Sequence, residues 1–305
     1  MGWQMSTRLL ELMDMAEEWP ELEELRPFLT DPDPEVRRTA LSVLSETTEE
    51  WEQASPLIAA GLSDSDVTVR HAAIGLLTEL LEVLVPGTEF DAALRDCVFA
   101  AEPAVRSAAI EALWRHRRSD AAELFGWFAD PNAEVRRTVV GGLTSVDALR
   151  ELDAAAADPS QLVRIAVAKG VAAVGDPRGA TTLIGLARDT DPLVRAAALT
   201  GLAQTGCGDE AAAIAAAGIG DPAWQVRQGA AIALAVADPE IAAPHLISVV
   251  TDDNLDVRKA AVRALAERIA QRPEVATALR SAMEDPDADV RAFARIGIAN
   301  SGKEI

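Results

Sequence analysis

Tyrosine is missing from this chain of 305 residues, aromatic residues make up only 4% of it, and there are three histidines and two cysteines. The apolar content of 49% is therefore carried mostly by Ala, Leu, Val and Ile, side chains that suit closely packed short helices better than a sheet-rich core. Cys97 and Cys207 stand far apart without a CxxC partner, which excludes a disulfide framework and fits small packing residues in a reducing compartment. Nowhere do about 18 uncharged apolar residues follow one another, and the opening stretch MGWQMSTRLLELMDMAEEWP holds no apolar run of signal-peptide length. A soluble, cytoplasmic protein with no membrane partner is expected. Gly2 to Ser6 formally fits an N-terminal acylation pattern, but with Trp3 beside the acceptor glycine so short a match is read as chance.

Positive charge is scarce too: 28 Lys and Arg face 49 Asp and Glu, a net charge of −21. Residues 1–60 alone hold 14 acids and 4 bases. Such a field makes nucleic acid a poor ligand and favours a basic partner at the acidic N-terminal third. Motifs that carry chemistry are also absent. None of His71, His116 and His245 is followed by Glu, and no HExxH, clustered Cys/His or EF-hand spacing occurs, so no metal site is expected. GxSxG and GxxxxGK[ST] are missing. No catalytic residue and no cofactor is nominated, and the chain leans away from being an enzyme.

What the chain does have is one word written nine times. It begins DPDPEVRRTALSVL at Asp31 and ends DPDADVRAFARIGI at Asp285, with its Val at 36, 69, 105, 135, 163, 194, 226, 257 and 290. Three residues before the Val stand Asp33, Asp66, Asn132, Ser160, Asp191, Asn254 and Asp287, which can accept from the free amides that open a helix. Glu102 and Ala223 hold the same place as poorer caps. Ala or Val follows four residues after each Val, and Leu, Val or Ile eight after, so each word predicts a helix with one buried stripe. Between the words lie second amphipathic segments, Gln53–Leu62, Thr88–Phe99, Ala121–Phe128, Val146–Ala156, Gly179–Ala187, Glu210–Ala217, Ile241–Val250 and Val275–Met283. They are too short to be stable alone and must pack on neighbours.

Acid and base recur with the word. Asp31, Asp64, Asp130, Asp158, Asp189, Asp221, Asp252 and Asp285 stand five residues before the Val, with only Ala100 breaking the series. Arg37, Arg70, Arg106, Arg136, Arg164, Arg195, Arg227, Arg258 and Arg291 follow it directly. A guanidinium can bridge to a neighbouring carboxylate with two parallel bonds, so these residues predict a structural ladder along the loops.

The order of Asp, Val-Arg, small residue and Leu resembles the HEAT repeat family, especially the short bacterial type named after phycobilisome lyases, across residues 20–305. The resemblance implies an all-α fold: an armadillo-like α-solenoid, wound as a right-handed superhelix of about nine HEAT-like helical hairpins. The expected organisation is an N-terminal capping helix over 1–19 and one solenoid domain over 20–305. Its repeats would run approximately 20–48, 50–85, 87–118, 119–145, 146–175, 176–207, 208–237, 238–271 and 273–305. Members of this family mostly bind proteins along a concave face, so fold alone assigns no activity.

If the Val-Arg helix lines that face, positions two, six and ten after each Val point into the groove. The first two rows hold the bases Arg38, Arg137, Lys169, Lys259 and Arg263 against the single acid Glu111, which predicts a locally basic inner surface selecting acidic side chains. Central repeats offer apolar or neutral groups at Leu162, Ile165, Leu193, Ala196, Gln228, Ile232 and Val236, a pattern that points to a partner-binding patch or to burial by a shifted register. His71 shares the row. Trp114 and Arg115 open the run Trp-Arg-His-Arg-Arg, with Trp127 and Phe128 across the next hairpin, and these could clamp an acidic peptide or pack on one another. Trp224 is read as either an exposed anchor or a loop plug.

The expected function is a non-catalytic scaffold or adaptor that holds a protein or peptide along the groove. Three enzyme readings stand beside it. The resemblance allows phycobilin-lyase-like cofactor handling, or a HEAT-like DNA glycosylase into which Trp114, Trp127 and Asp130 could be fitted. A small-molecule biosynthetic enzyme using a groove pocket is the third. Duplex DNA would demand many phosphate contacts that a chain of −21 does not offer, and the His-Glu pairs of the HEAT-type deoxyhypusine hydroxylase are absent.

Overall fold

Each Val-Arg word opens a helix because its flanking polar residue accepts from the first-turn amides. In the computed structural model, which describes residues 7–269 and 272–301, Glu35 donates its amide to Asp33, Thr68 to Asp66 and Glu134 to Asn132. Leu193 donates to Asp191, Asp256 to Asn254 and Asp289 to Asp287 in the same way. Ser160 departs from the expectation: its side chain accepts no capping bond, although its amide donates to the Asp158 carboxylate at 2.8 Å just as the amides of the capping residues donate to their own loop aspartates. Glu102 and Ala223 also make no side-chain cap. Gly2 to Ser6 lie outside the described residues.

The chain divides into two compact units, Met1–Gly142 and Leu143–Ile305. In the first, the helices are α1 (Thr7–Ala16), α2 (Leu22–Leu29), α3 (Pro34–Thr47), α4 (Trp51–Ala60), α5 (Val67–Glu79), α6 (Thr88–Cys97), α7 (Pro103–Arg115) and α8 (Ala121–Trp127). The boundary falls inside α9 (Ala133–Ser145). In the second they are α10 (Leu149–Ala155), α11 (Gln161–Val174), α12 (Ala180–Leu186), α13 (Pro192–Thr205), α14 (Asp209–Gly218) and α15 (Trp224–Leu234). There follow α16 (Pro239–Ser248), α17 (Leu255–Ala264), α18 (Pro273–Ala282) and α19 (Ala288–Ser301). No strand occurs among the described residues. The fold is an all-helical α-solenoid, and the second helix of each hairpin lies within a turn of where the amphipathic pattern puts it.

Two layers build each unit. In the first, α1, α3, α5 and α7 pack in succession, while α4 packs on α6. In the second, α11, α13, α15, α17 and α19 form one layer and α12, α14, α16 and α18 the other. The buried stripe is the one the word encodes: Val194, Ala198 and Leu202 of α13 are fully buried, as are Val257, Ala261 and Leu265. A small residue sets how closely the helices approach. A Cβ on Gly229 of α15 would stand 2.8 Å from the Ala196 carbonyl oxygen of α13, so glycine is what lets these two backbones touch. After α17 the chain widens into a π-helical turn, Leu265–Ile269. No described helix is long and apolar enough to cross a membrane.

Candidate functional site

The loops between hairpins carry the ladder. An arginine leaves the first turn of its helix and, in Arg37, Arg70, Arg106, Arg164, Arg195, Arg227 and Arg258, ties two loops at once. Arg195 donates through Nη1 to the carbonyl oxygens of Asp189 and Thr190, at 2.9 and 3.0 Å, and forks onto Asp221 through Nε and Nη2 at 3.0 and 2.8 Å. Arg37 forks onto Asp64, Arg106 onto Asp130, Arg164 onto Asp189, Arg227 onto Asp252 and Arg258 onto Asp285. Each receiving aspartate also turns its own loop, as Asp221 does by accepting the Ala223 amide at 2.9 Å. The paired side chains are 8 to 19% exposed, so these rungs lose less to water than surface ion pairs do. Arg37 holds the Asp64 carboxyl below the usual carboxylate range, and Arg164 and Arg227 do the same for Asp189 and Asp252. Arg136 and Arg291 grip their own loops through Asp130 and Pro131, and through Asp285 and Pro286.

Two rungs were not read from the repeated word. Glu102 stands in for the aspartate missing at Ala100, accepting from Arg70 Nε at 2.9 Å and lying 2.6 Å from His71 Nε2. At the other end, α1 supplies Arg8, whose Nε donates to Asp31 at 3.3 Å while its guanidinium lies 4.1 Å from the centre of the Phe28 ring. Helix α1 thus adds a rung to the ladder.

Opposite the buried stripe, the Val-Arg helices present an open face. At 3.6 residues per turn, the positions one before and two, six and ten after each Val share an arc of about 80°. The position before the Val, from which the sequence suggests only Leu162 and Leu193 for the groove, changes the electrostatics. Glu134 accepts from Arg137 at 2.6 Å, Glu35 lies 3.9 Å from Arg38, and Asp289 accepts from Lys259 at 2.9 Å. Arg263 pairs with Glu267 at 2.8 Å and Arg115 with Glu111 at 3.5 Å. The expected basic inner surface is therefore corrected: its bases are neutralised within the chain. Lys169 is the exception, exposed and without an ion pair among the described residues.

In the first unit the open face is polar. Arg38, Ser42, Gly75 and Glu79 line a shallow cavity of about 400 Å³ there. The Trp-Arg-His-Arg-Arg run does not assemble a clamp. Trp114 lies against Gly141 and Gly142, Arg115 covers its ring at 5.0 Å, and Arg118 donates to Asp91 at 2.6 Å. His116 meets Phe90 edge-on at 5.6 Å, and burial pushes its pKa down.

The second unit is different. Leu162 and Leu193, one residue before their Val, are each 46% exposed, and Ile165 and Ala196 stand half-buried one turn on. Beyond them a cavity of about 720 Å³ opens among α13, α15, α17 and α19. It brings together Gln228, Ile232, Val236, Lys259 and Arg263 with Gln204 and Glu267 at the tenth position of the predicted rows, and adds Phe293. Glu267 sits in the π-helical turn, a distortion that often marks a functional wall. Trp224, two residues before its Val and 36% exposed, lies off this row. Among the described residues no three His, Cys, Asp or Glu side chains are placed to hold a metal ion.

Comparison with known proteins agrees with this architecture. The family described as HEAT repeats matches residues 10–81, 149–235 and 213–299. A crystal structure of an engineered protein from the Northeast Structural Genomics Consortium superposes with a TM-score of 0.58 at 18% identity, covering 97% of this chain and 92% of that one. That likeness concerns the fold alone. No curated protein matches the chain.

Proposed function

Since the chain belongs to the HEAT-repeat family, we propose that it is a non-catalytic scaffold that holds a polypeptide partner on the open face of its C-terminal unit. One contrast carries this reading. Across α11, α13 and α15 the twelve positions of the open row hold a single charge, Lys169; across α3, α5 and α7 the same twelve positions hold six, besides His71. A chain in which a quarter of the residues are charged keeps such a strip bare only where desolvation is useful, and exposed apolar patches of this kind mark interaction sites. The cavity among α13 to α19 would take the deepest anchor, and a few central anchors supply most of the affinity in such contacts.

The paired bases alter the partner chemistry. Lys259 and Arg263 are already bridged to acids, so affinity rests on apolar burial, with charge setting register. The subtype named after phycobilisome lyases rests on the Asp and Val-Arg word alone, and a cytoplasmic location on composition. Replacing Ile165 and Ile232 by Asp in the full chain should abolish retention of its polypeptide partner while leaving helicity, measured by circular dichroism, unchanged. Undiminished retention would reject the reading.

A further inference from the structure

We infer that the outer face of α1 docks a cationic polypeptide segment that carries apolar anchors. Helix α1 packs on α3 and buries Leu9 and Leu12. Its opposite side is left bare: Leu10 is 48% and Met13 49% exposed. Three residues apart on a helix, the two side chains form one patch. Trp19, in the turn that follows, is 70% exposed and holds a φ of 55°. A bulky side chain in the left-handed region costs backbone energy, and so exposed a ring offsets little of it through packing within the chain. A partner that covers the ring supplies the missing contacts.

Charge selects the partner. Residues 7–30 hold seven acids and two bases, and both bases are engaged, Arg8 with Glu11 and Asp31, and Arg26 with Glu23. Asp14, Glu17 and Glu18 are exposed and have no ion pair among the described residues. Asp14 stands four residues after Leu10, on the same face of the helix, and Glu17 and Glu18 continue directly from its end. The apolar patch is thus set among carboxylates that no base of the chain neutralises.

Other occupants fit this chemistry badly. A second copy meeting the first across a twofold axis would set Asp14, Glu17 and Glu18 against their own equivalents, and like charges brought together oppose the contact. An anionic lipid surface or a nucleic acid meets the same field. A segment with Lys or Arg flanking Leu, Met or aromatic side chains covers the patch and satisfies the three carboxylates at once, while the flexible, polarisable Met13 side chain adapts to the anchor. This surface shares no residue with the C-terminal open face, so it stands or falls separately from the scaffold reading.

The test uses the full chain and three fluorescein-labelled synthetic peptides of equal length in a Ser/Gly background. The first carries Lys and Leu, the second Lys with Gln in place of Leu, and the third Leu with Glu in place of Lys. The first should bind at least about tenfold more tightly than either of the others and should weaken as salt rises. Leu10→Gln with Met13→Gln should lower its affinity at least about tenfold, and so, separately, should Asp14→Asn with Glu17→Gln and Glu18→Gln. Helicity by circular dichroism should stay that of the parent chain, and Ile165→Asp with Ile232→Asp should leave binding of the first peptide unchanged. Equal binding of the second peptide reduces the contact to diffuse charge attraction, and equal binding of the third to unspecific apolar adhesion. Either result overturns the inference, as does indifference to the α1 substitutions, dependence on Ile165 and Ile232, or no binding by any peptide. A dimer in sedimentation that Leu10→Gln with Met13→Gln dissociates would make the occupant a second copy and overturn it too.

Discussion

Arg70 reaches Glu102 at 2.9 Å although Glu102 stands two residues beyond the place where every other rung keeps its acid. The longer side chain spans the gap that Ala100 leaves, and it gives up the helix cap to do so, since Glu102 makes no capping bond. One side chain has exchanged a local bond for a long-range one. The register of α5 on α7 is held by the same kind of contact as its neighbours.

Glu102→Ala should therefore lower stability by about 1–3 kcal/mol, the cost of leaving a partly buried guanidinium without its acceptor. Adding Ala100→Asp in that background should restore most of the loss by supplying the acid where the other loops keep it. Urea unfolding followed by circular dichroism checks both; no rescue would mean that the loop around Ala100 cannot adopt the turn of the others.

Arg195 ties Asp189 and Thr190 of its own loop to Asp221 of the next. Arg195→Lys keeps the charge but not the planar fork, and should cost about 1–2 kcal/mol, close to Arg195→Leu, because a single ammonium cannot serve both loops. If lysine proves equivalent to arginine in chemical denaturation, the ladder acts as simple charge pairing.

Acid should dissolve the ladder. The carboxyls of Asp64, Asp189 and Asp252 are held below their ordinary value, so their contribution is complete above the ordinary aspartate pKa of about 3.9 and is lost as pH falls through the lower folded-state values. Melting temperature should be flat from neutral pH to the ordinary carboxylate range and then drop. In the chain with Arg37, Arg164 and Arg227 replaced by Leu, the drop below that range should be shallower.

The stack was legible because one word recurs nine times and each word encodes its own buried stripe and ladder arginine, with a side-chain cap in most of them. The first rung was not, because Arg8 lies in the N-terminal stretch before the word begins and only its place beside Asp31 reveals it. From the position one before each Val only the apolar Leu162 and Leu193 were legible as groove residues, and this hid Glu35, Glu134 and Asp289 at the same position in other repeats, although the helical period runs backward as well as forward. Those acids turn an apparently basic groove into a neutralised one. Trp114 and its arginines looked like a cluster because they are adjacent in sequence, yet successive helical residues point in different directions. The π-helical turn at Leu265–Ile269 has no counterpart in the word.

Two glycines should respond in opposite ways. Gly229→Ala would place a methyl 2.8 Å from the Ala196 carbonyl oxygen and should cost about 1–3 kcal/mol by forcing α13 and α15 apart. Gly185→Ala meets nothing within 4 Å and should add about 0.5–1 kcal/mol from helix propensity alone. Thermal melts of the two variants compare them directly.

The most direct test of the scaffold account is photo-crosslinking from single benzophenone side chains in the full chain with its partner bound. Placed at Ile165, Ala196 or Ile232 on the open face, the probe should attach to the partner; placed at Thr181 of α12 or Ala213 of α14, exposed positions on the other layer, it should not. Attachment from Thr181 and Ala213 alone would show that the partner sits on the opposite layer and would contradict the account.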